Sequence, residues 1–195
     1  MAFVLASNNA GKLREFEQLF SKLGLEVLPQ AQFGVEDADE TGLSFIENAL
    51  IKARHASEKT NKPAMADDSG IVVPALDGAP GIYSARYSGK GDAANNEKLL
   101  QALDGVEGAA RNAFYVAVIA LVKHSSDPMP IIAEGRWHGR IAETPAGDGG
   151  FGYDPLFIPD GFDITAAQMT RDEKQALSHR ALALNALAPQ LNDFL

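Results

Sequence analysis

A chain of 195 residues without cysteine is long enough to bury a core unaided, and it carries neither disulfides, thiolate metal ligands nor a thiol nucleophile. Its formal charge of −9, from 26 acids against 17 bases, disfavours nucleic-acid partners, whose non-specific binding rests on lysine and arginine neutralising phosphates. A small nucleotide fits the same balance, because a few local cations in a pocket suffice.

The apolar run at Phe3 to Ala6 predicts a short buried strand. It is too short for a signal peptide and lacks basic residues before it, and no stretch approaches the ~20 apolar residues of a membrane helix. A cytoplasmic chain with no membrane partner is expected. After the polar turn Ser7-Asn8-Asn9, helical spacing of Leu13, Phe16, Leu19, Phe20 and Leu23 predicts a helix that stops at Gly24. Leu25–Leu28 reads as a second strand and residues 29–42 as an acidic loop. Ser44 and Glu47 form a capping-box pattern ahead of a helix to about Lys59. Ala64-Met65-Ala66 and Ile71-Val72-Val73 read as extended segments flanking an acidic turn, Asp67-Asp68-Ser69-Gly70. A glycine-punctuated loop runs from Gly78 to Gly91, and Asp92–Leu103 fits an amphipathic helix. Ala113–Val122 suits a central strand, and Pro130–Ile141 another strand or a hairpin arm. A second capping box, Thr170 with Glu173, opens one helix that carries Leu177, Ala181, Leu184 and Leu191 on one face. Strands alternating with helices predict an α/β protein with 1–195 as a single domain.

Two familiar motifs fail on inspection and two others are absent. Gly147-x-Gly149-x-x-Gly152 has the dinucleotide spacing, but Pro145 and Pro155 bracket it and no helix is predicted to open there. Gly11-Lys12 lacks the leading glycine and the following serine or threonine of a Walker loop. Neither a Gly-x-Ser-x-Gly elbow nor a His-Glu-x-x-His helix occurs.

Four other constellations carry chemistry. The turn Ser7-Asn8-Asn9-Ala10-Gly11-Lys12 is either an asparagine helix cap with a solvated lysine or an anion site built from helix N–H groups, the dipole and Lys12. Asp67-Asp68 is either a surface turn or a pair of carboxylates at the end of a core strand, where repulsion calls for a cation. Glu40 is either an ordinary loop carboxylate among Glu36, Asp37 and Asp39 or a further oxygen ligand. Gly150-Phe151-Gly152-Tyr153-Asp154 is either a tight turn closing the core or an aromatic and carboxylate surface for a flat heterocycle. Lys174 and Ser178 share a helical face by their spacing, with His179 and Arg180 adjacent, which is either a solvated basic face or part of a site. His55, His124 and His138 have no partner at ligand spacing.

These segments, in this order, resemble the inosine triphosphate pyrophosphatase family, which hydrolyses non-standard purine nucleoside triphosphates. The stretches that carry the resemblance are Ser7–Lys12, Glu40-Thr-Gly42 with Ser44–Ala49, Ala66–Gly70, Gly78–Gly89, Gly149–Pro155 and Ser178–Arg180. They extend from near the first residue to the last helix. The resemblance implies a long mixed sheet, with helices forming two lobes around a substrate cleft, in a homodimer. It implies cleavage of ITP, dITP or XTP to the monophosphate and pyrophosphate, with Mg²⁺. Ser7, Asn8, Asn9, Ala10, Gly11 and Lys12 would hold the triphosphate. Asp68 would be the catalytic base, with Glu40 and Asp68 on the metal and Ser69 touching substrate. Phe151, Gly152, Tyr153, Asp154, Lys174, His179 and Arg180 would surround the base and nucleotide, and Lys52 would approach phosphate. The alternatives left by the residues are a pyrophosphatase for pyrimidine or modified nucleotides, and a module that binds nucleotides without cutting them.

Overall fold

The structure is a computed structural model and describes residues 2–21 and 24–193. In chain order the elements are β1 (Ala2–Leu5), α1 (Ala10–Ser21), β2 (Glu26–Pro29), α2 (Phe45–Thr60), β3 (Ala64–Val72) and α3 (Asp92–Ala102). Then come β4 (Asn112–Val122), β5 (Ile131–Ile141), β6 (Phe157–Pro159), α4 (Arg171–Leu177) and α5 (His179–Leu187). The strands form one mixed six-stranded sheet in the order β2-β1-β3-β4-β5-β6. β1 runs parallel to β2 and β3, while β5 and β6 are antiparallel. The α/β expectation is borne out.

The chain divides into two compact units. The first comprises Met1–Asp68, Ala117–Gly135 and Arg180–Leu195; the second comprises Ser69–Val116 and Arg136–His179. In the first unit α1 returns the chain between β1 and β2, the crossover that parallel strands require. Its Phe16 and Phe20 pack with Phe3, Met65, Ile119 and Leu187 in the core. The predicted Leu23 lies outside the described residues, as does the side chain of Leu19. In the second unit Ile71, Leu99, Tyr115, Trp137 and Phe157 share a core. Trp137 and Phe157 meet edge to face at 5.2 Å, an arrangement aromatic quadrupoles favour. β5 buries Ala133, Gly135, Trp137, Gly139 and Ile141 while Glu134, Arg136, His138 and Arg140 face water, the two-residue alternation of a half-covered strand.

Three expectations change. The acidic turn is not a turn: Asp67, Asp68, Ser69 and Gly70 lie inside one continuous strand, β3. Successive strand residues point to opposite faces, so the two carboxylates need not oppose each other, and each finds its own cations. The last helix is two helices. Ser178 takes an extended conformation (φ −63°, ψ 156°) between α4 and α5, which leaves Leu177 exposed while Ala181, Leu184 and Leu191 are buried. Ser178 therefore shares no helix face with Lys174; its N–H closes α4 on the Lys174 carbonyl at 2.9 Å. Short 3-10 turns, Gln30–Phe33 and Gly81–Arg86, occupy parts of the two predicted loops. The Ser84 hydroxyl pins the second of these by accepting from the Ile71 N–H (2.9 Å) and donating to the Gly81 carbonyl (2.6 Å).

Candidate functional site

In the first unit the charged side chains gather around the two strand aspartates. Asp67 faces Lys12, whose Nζ lies 3.1 Å from Oδ2, and Arg180, whose Nε lies 3.4 Å from the same oxygen. Asp68, the next residue, accepts from Lys52 Nζ at 3.0 Å, and the same ammonium donates to Glu40 at 2.8 Å. Local sequence explains how each cation arrives. Asn9 caps α1, its Oδ1 accepting from the N–H groups of Gly11 (2.9 Å) and Lys12 (3.1 Å), which sets Lys12 in the first turn. Ser7 Oγ in turn accepts from the Asn9 N–H, and Asn8 donates to Asp37. Lys52 stands on α2, whose cap is Ser44; the Glu47 carboxylate reaches back to the Leu43 N–H, one residue earlier than a strict capping box. Glu40 is carried by a loop clamped through buried Asn48, whose Oδ1 accepts from the Gly42 N–H at 2.8 Å. A Cβ at Gly42 would sit 2.6 Å from Glu47 Cβ, so only glycine lets the loop approach the helix this closely.

Electrostatics separate the two aspartates. Burial alone would push the Asp67 carboxyl up, but Lys12, Arg180 and Lys52 outweigh it and hold the group well below the usual carboxylate range. Burial pushes Asp68 up; Lys52 opposes that shift and Glu40 adds to it, and the carboxyl stays above its ordinary value. Burial lowers Lys12, with Arg180 and Lys52 contributing, despite Asp67. Burial would lower Lys52 as well, yet Asp67, Asp68 and Glu40 together raise it.

Among the described residues no three acidic or histidine side chains are grouped as a metal cage. Two carboxylates are nevertheless suited to one kind of ion. Asp68 Oδ2 is buried and receives no hydrogen bond from any described residue, while Glu40 and Asp68 already converge on one cationic atom, Lys52 Nζ. Mg²⁺ keeps much of its hydration and is commonly held by one or two carboxylates plus phosphate oxygens. The donors fit such an ion.

In the second unit the glycine turn around Phe151 is tightly organised. Asp154 is buried and accepts from the Phe151 N–H (2.9 Å), the Tyr115 hydroxyl (3.3 Å) and Lys174. Asp92 accepts from the Gly152 N–H and Asn96 donates to the Gly152 carbonyl, both at 2.8 Å, so the start of α3 grips this peptide from both ends. Phe151 is the displayed aromatic, 41% exposed, with Lys174 Nζ 4.7 Å from its ring centre. Tyr153 is 3% exposed and donates its hydroxyl to the Ser84 carbonyl at 2.7 Å. Its ring closes the core, whereas that of Phe151 is displayed. His179 is buried and stacks on Tyr115 at 4.7 Å, and Ser69 lies half-buried on β3. No helix follows Gly152, as expected for a chance match to the dinucleotide spacing.

Comparison with known proteins bears out the resemblance read from the motifs. The model of the Ham1 family matches residues 3–190. The chain belongs to the Ham1 family. Curated relatives named dITP/XTP pyrophosphatase include proteins of Xanthomonas oryzae pv. oryzae and Burkholderia pseudomallei. The first is 54% identical, covering 97% of this chain and 96% of that protein. The second is 55% identical, covering 97% and 93%. The solved HAM1 protein of Coxiella burnetii superimposes with a TM-score of 0.92 at 46% identity, over 99% of both chains.

Within this Ham1 chain, several site neighbours escaped the sequence reading. In sequence Asp67 reads only as half of a pair, and its partnership with Lys12, 55 positions away, leaves no local signal. Asp92, Asn96 and Tyr115 are ordinary residues of a helix and a strand in sequence. Gly150 is different, because its φ of +72° and the Asp154 carboxylate oxygen that a Cβ would overlap both demand glycine. Gly150→Ala is expected to lower the thermal midpoint by about 5 °C, from roughly 2 kcal/mol of backbone strain and displacement. It should also raise KM for the nucleotide. A variant with wild-type melting and KM would show that the turn relaxes freely.

Proposed function

We propose that the chain hydrolyses non-standard purine nucleoside triphosphates, ITP, dITP and XTP, to the monophosphate and pyrophosphate, and so removes them from the nucleotide pool. The observation that carries this reading is Asp68: a buried carboxylate pushed above its ordinary pKa, one oxygen held by Lys52 and the other accepting from no described residue. The names of the relatives support the substrate class.

Water attacks the α-phosphorus while the β- and γ-phosphates leave together. Asp68 orients that water and accepts its proton. Glu40 and Asp68 would hold Mg²⁺, which supplies charge neutralisation on the phosphates and a more acidic water. Lys12 and the Ser7–Gly11 turn hold the polyphosphate, with Lys52 beside it; a bound phosphate would share the Gly11 and Lys12 N–H groups with the Asn9 cap or displace it. Ser69 touches the substrate.

On the base side, Phe151 stacks the purine, Gly152 and Tyr153 contribute main chain, and Asp154, Lys174 and His179 supply polar contacts, while Arg180, paired with Asp67, contacts the nucleotide from the Lys12 group. Lysine only donates, which suits the O6 and N7 acceptors of a 6-oxopurine; adenine would set its amino group against such a donor. Guanine shares that edge with hypoxanthine, so rejection of GTP rests on the 2-position. A homodimer and a cytoplasmic location are carried by the family resemblance.

The test is chromatography of ITP incubated with protein and Mg²⁺. Monophosphate and pyrophosphate without diphosphate are expected, with turnover lost to EDTA and restored by Mg²⁺. At limiting concentration ITP should be cut at least about 100-fold faster than ATP, the scale reached when a buried donor is left unpaired. Diphosphate as first product, or equal rates on ATP and ITP, would overturn the bond assignment or the base assignment respectively. Binding without product would favour the sensing module instead.

A further inference from the structure

We infer that Tyr115 is a positioning residue for base selection, acting through its hydroxyl on Asp154 and through its ring on His179. This rests on the base-side reading given above. Tyr115 lies on β4 within the second unit's core, edge-on to Phe157 at 4.8 Å and stacked near Trp137 at 6.5 Å. Its hydroxyl accepts from the Tyr153 N–H at 3.1 Å and sits 3.3 Å from Asp154 Oδ1. The direction of these bonds follows from the inventory of donors. A main-chain N–H can only donate, so the single hydroxyl proton is left for the carboxylate.

The consequence is a carboxylate fixed at both oxygens. Oδ2 receives the Phe151 N–H and Lys174, while Oδ1 receives Tyr115. Without the second anchor Asp154 could swing about its side-chain torsion, and the Lys174 ammonium bound to it would move as well. The ring makes the third connection. It lies 4.7 Å from the His179 imidazole, inclined by only 10°. Thus one side chain registers the main chain after Gly152, the Asp154 carboxylate and the His179 ring. It does so from a strand, whose packing holds a group more precisely than a glycine turn can.

Tyr115→Phe separates these roles, since the ring and its packing stay while the hydroxyl goes. The measurement is steady-state kinetics on ITP and ATP for Tyr115→Phe, Asp154→Asn, Lys174→Ala and the Tyr115→Phe/Asp154→Asn double variant, with thermal melting alongside. Loss of one hydrogen bond to a charged group is expected to raise KM for ITP about tenfold. The value of kcat should fall less than about twofold, and the ITP-over-ATP ratio of kcat/KM should shrink. The double variant should be no worse than Asp154→Asn alone, because the hydroxyl acts through that carboxylate. A merely structural tyrosine would lower the melting temperature and leave KM and the base ratio unchanged. If Asp154→Asn loses selectivity while Tyr115→Phe keeps it, or if the two effects add, the inference is overturned and the base-side reading stands. If neither Asp154→Asn nor Lys174→Ala alters KM or the ratio, the base-side reading fails and the Tyr115 inference falls with it.

Discussion

Asp68→Asn is expected to fold as the wild type does and to lose at least about a thousandfold in kcat, the scale of removing a positioned general base. The size of the task explains why the loss should be so large. Free water and an ordinary aspartate differ by ~12 pKa units, or ~16 kcal/mol for complete transfer at 1.36 kcal/mol per unit. The carboxylate therefore acts only where the phosphate charge around it is also neutralised, and an amide can neither accept the proton nor supply the negative charge. Stability should move the other way. Burial raises the folded pKa of Asp68 above the ordinary 3.8, so its stabilising contribution is complete below that value and is lost as pH rises through the folded one. At neutral pH the ionised carboxylate is a burden on the fold that a neutral asparagine removes, while Lys52 keeps Glu40 at 2.8 Å. Melting at or above the wild-type temperature together with collapsed turnover is the expected pair of results. Near-normal turnover in Mg²⁺ would remove Asp68 from the chemistry.

The parts of this molecule legible in sequence are those whose cause is local. The 3.6-residue spacing of Phe16 and Phe20, the caps at Ser44 and Thr170, and the continuous apolar run of β4 each follow from neighbours within one turn or strand. The misread places are those where distant charges override local preference. Asp67-Asp68-Ser69-Gly70 has turn composition, yet it is strand, and Lys12, Lys52 and Arg180, all remote in sequence, receive its carboxylates. Ser178 inside an apolar helical pattern was a readable signal, since serine favours helix ends. The continuing period of Leu177, Ala181 and Leu184 masked it. The motifs singled out Lys12, Asp67, Asp68, Asp154 and Lys174 as charged groups, whereas their partners Tyr115, Asp92 and Asn96 emerge only from packing.

Asp67→Asn should be the more damaging change to the fold. Asp67 is the shared counter-ion of Lys12 and Arg180, and removing one partner of a buried ion group leaves the others uncompensated, at a cost of about 3–5 kcal/mol. For a chain of 195 residues that corresponds to a thermal midpoint about 10 °C lower. The pH dependence has a definite sign. The folded pKa of Asp67 is depressed, so the stability it adds is present above the ordinary value of 3.8 and is lost as pH falls through the folded value. The gap between wild type and variant should be full at neutral pH and should narrow once pH drops below about 4. Activity should respond at the opposite end of the scale. Burial already holds Lys12 below its ordinary 10.5, and Asp67 is the group that opposes the shift. Without it Lys12 sheds its proton at lower pH and stops attracting phosphate, so the alkaline limb of kcat/KM should move downward in pH. Equal melting curves at neutral pH, or an alkaline limb that stays in place, would show that Lys12 draws neither its charge nor its position from this carboxylate.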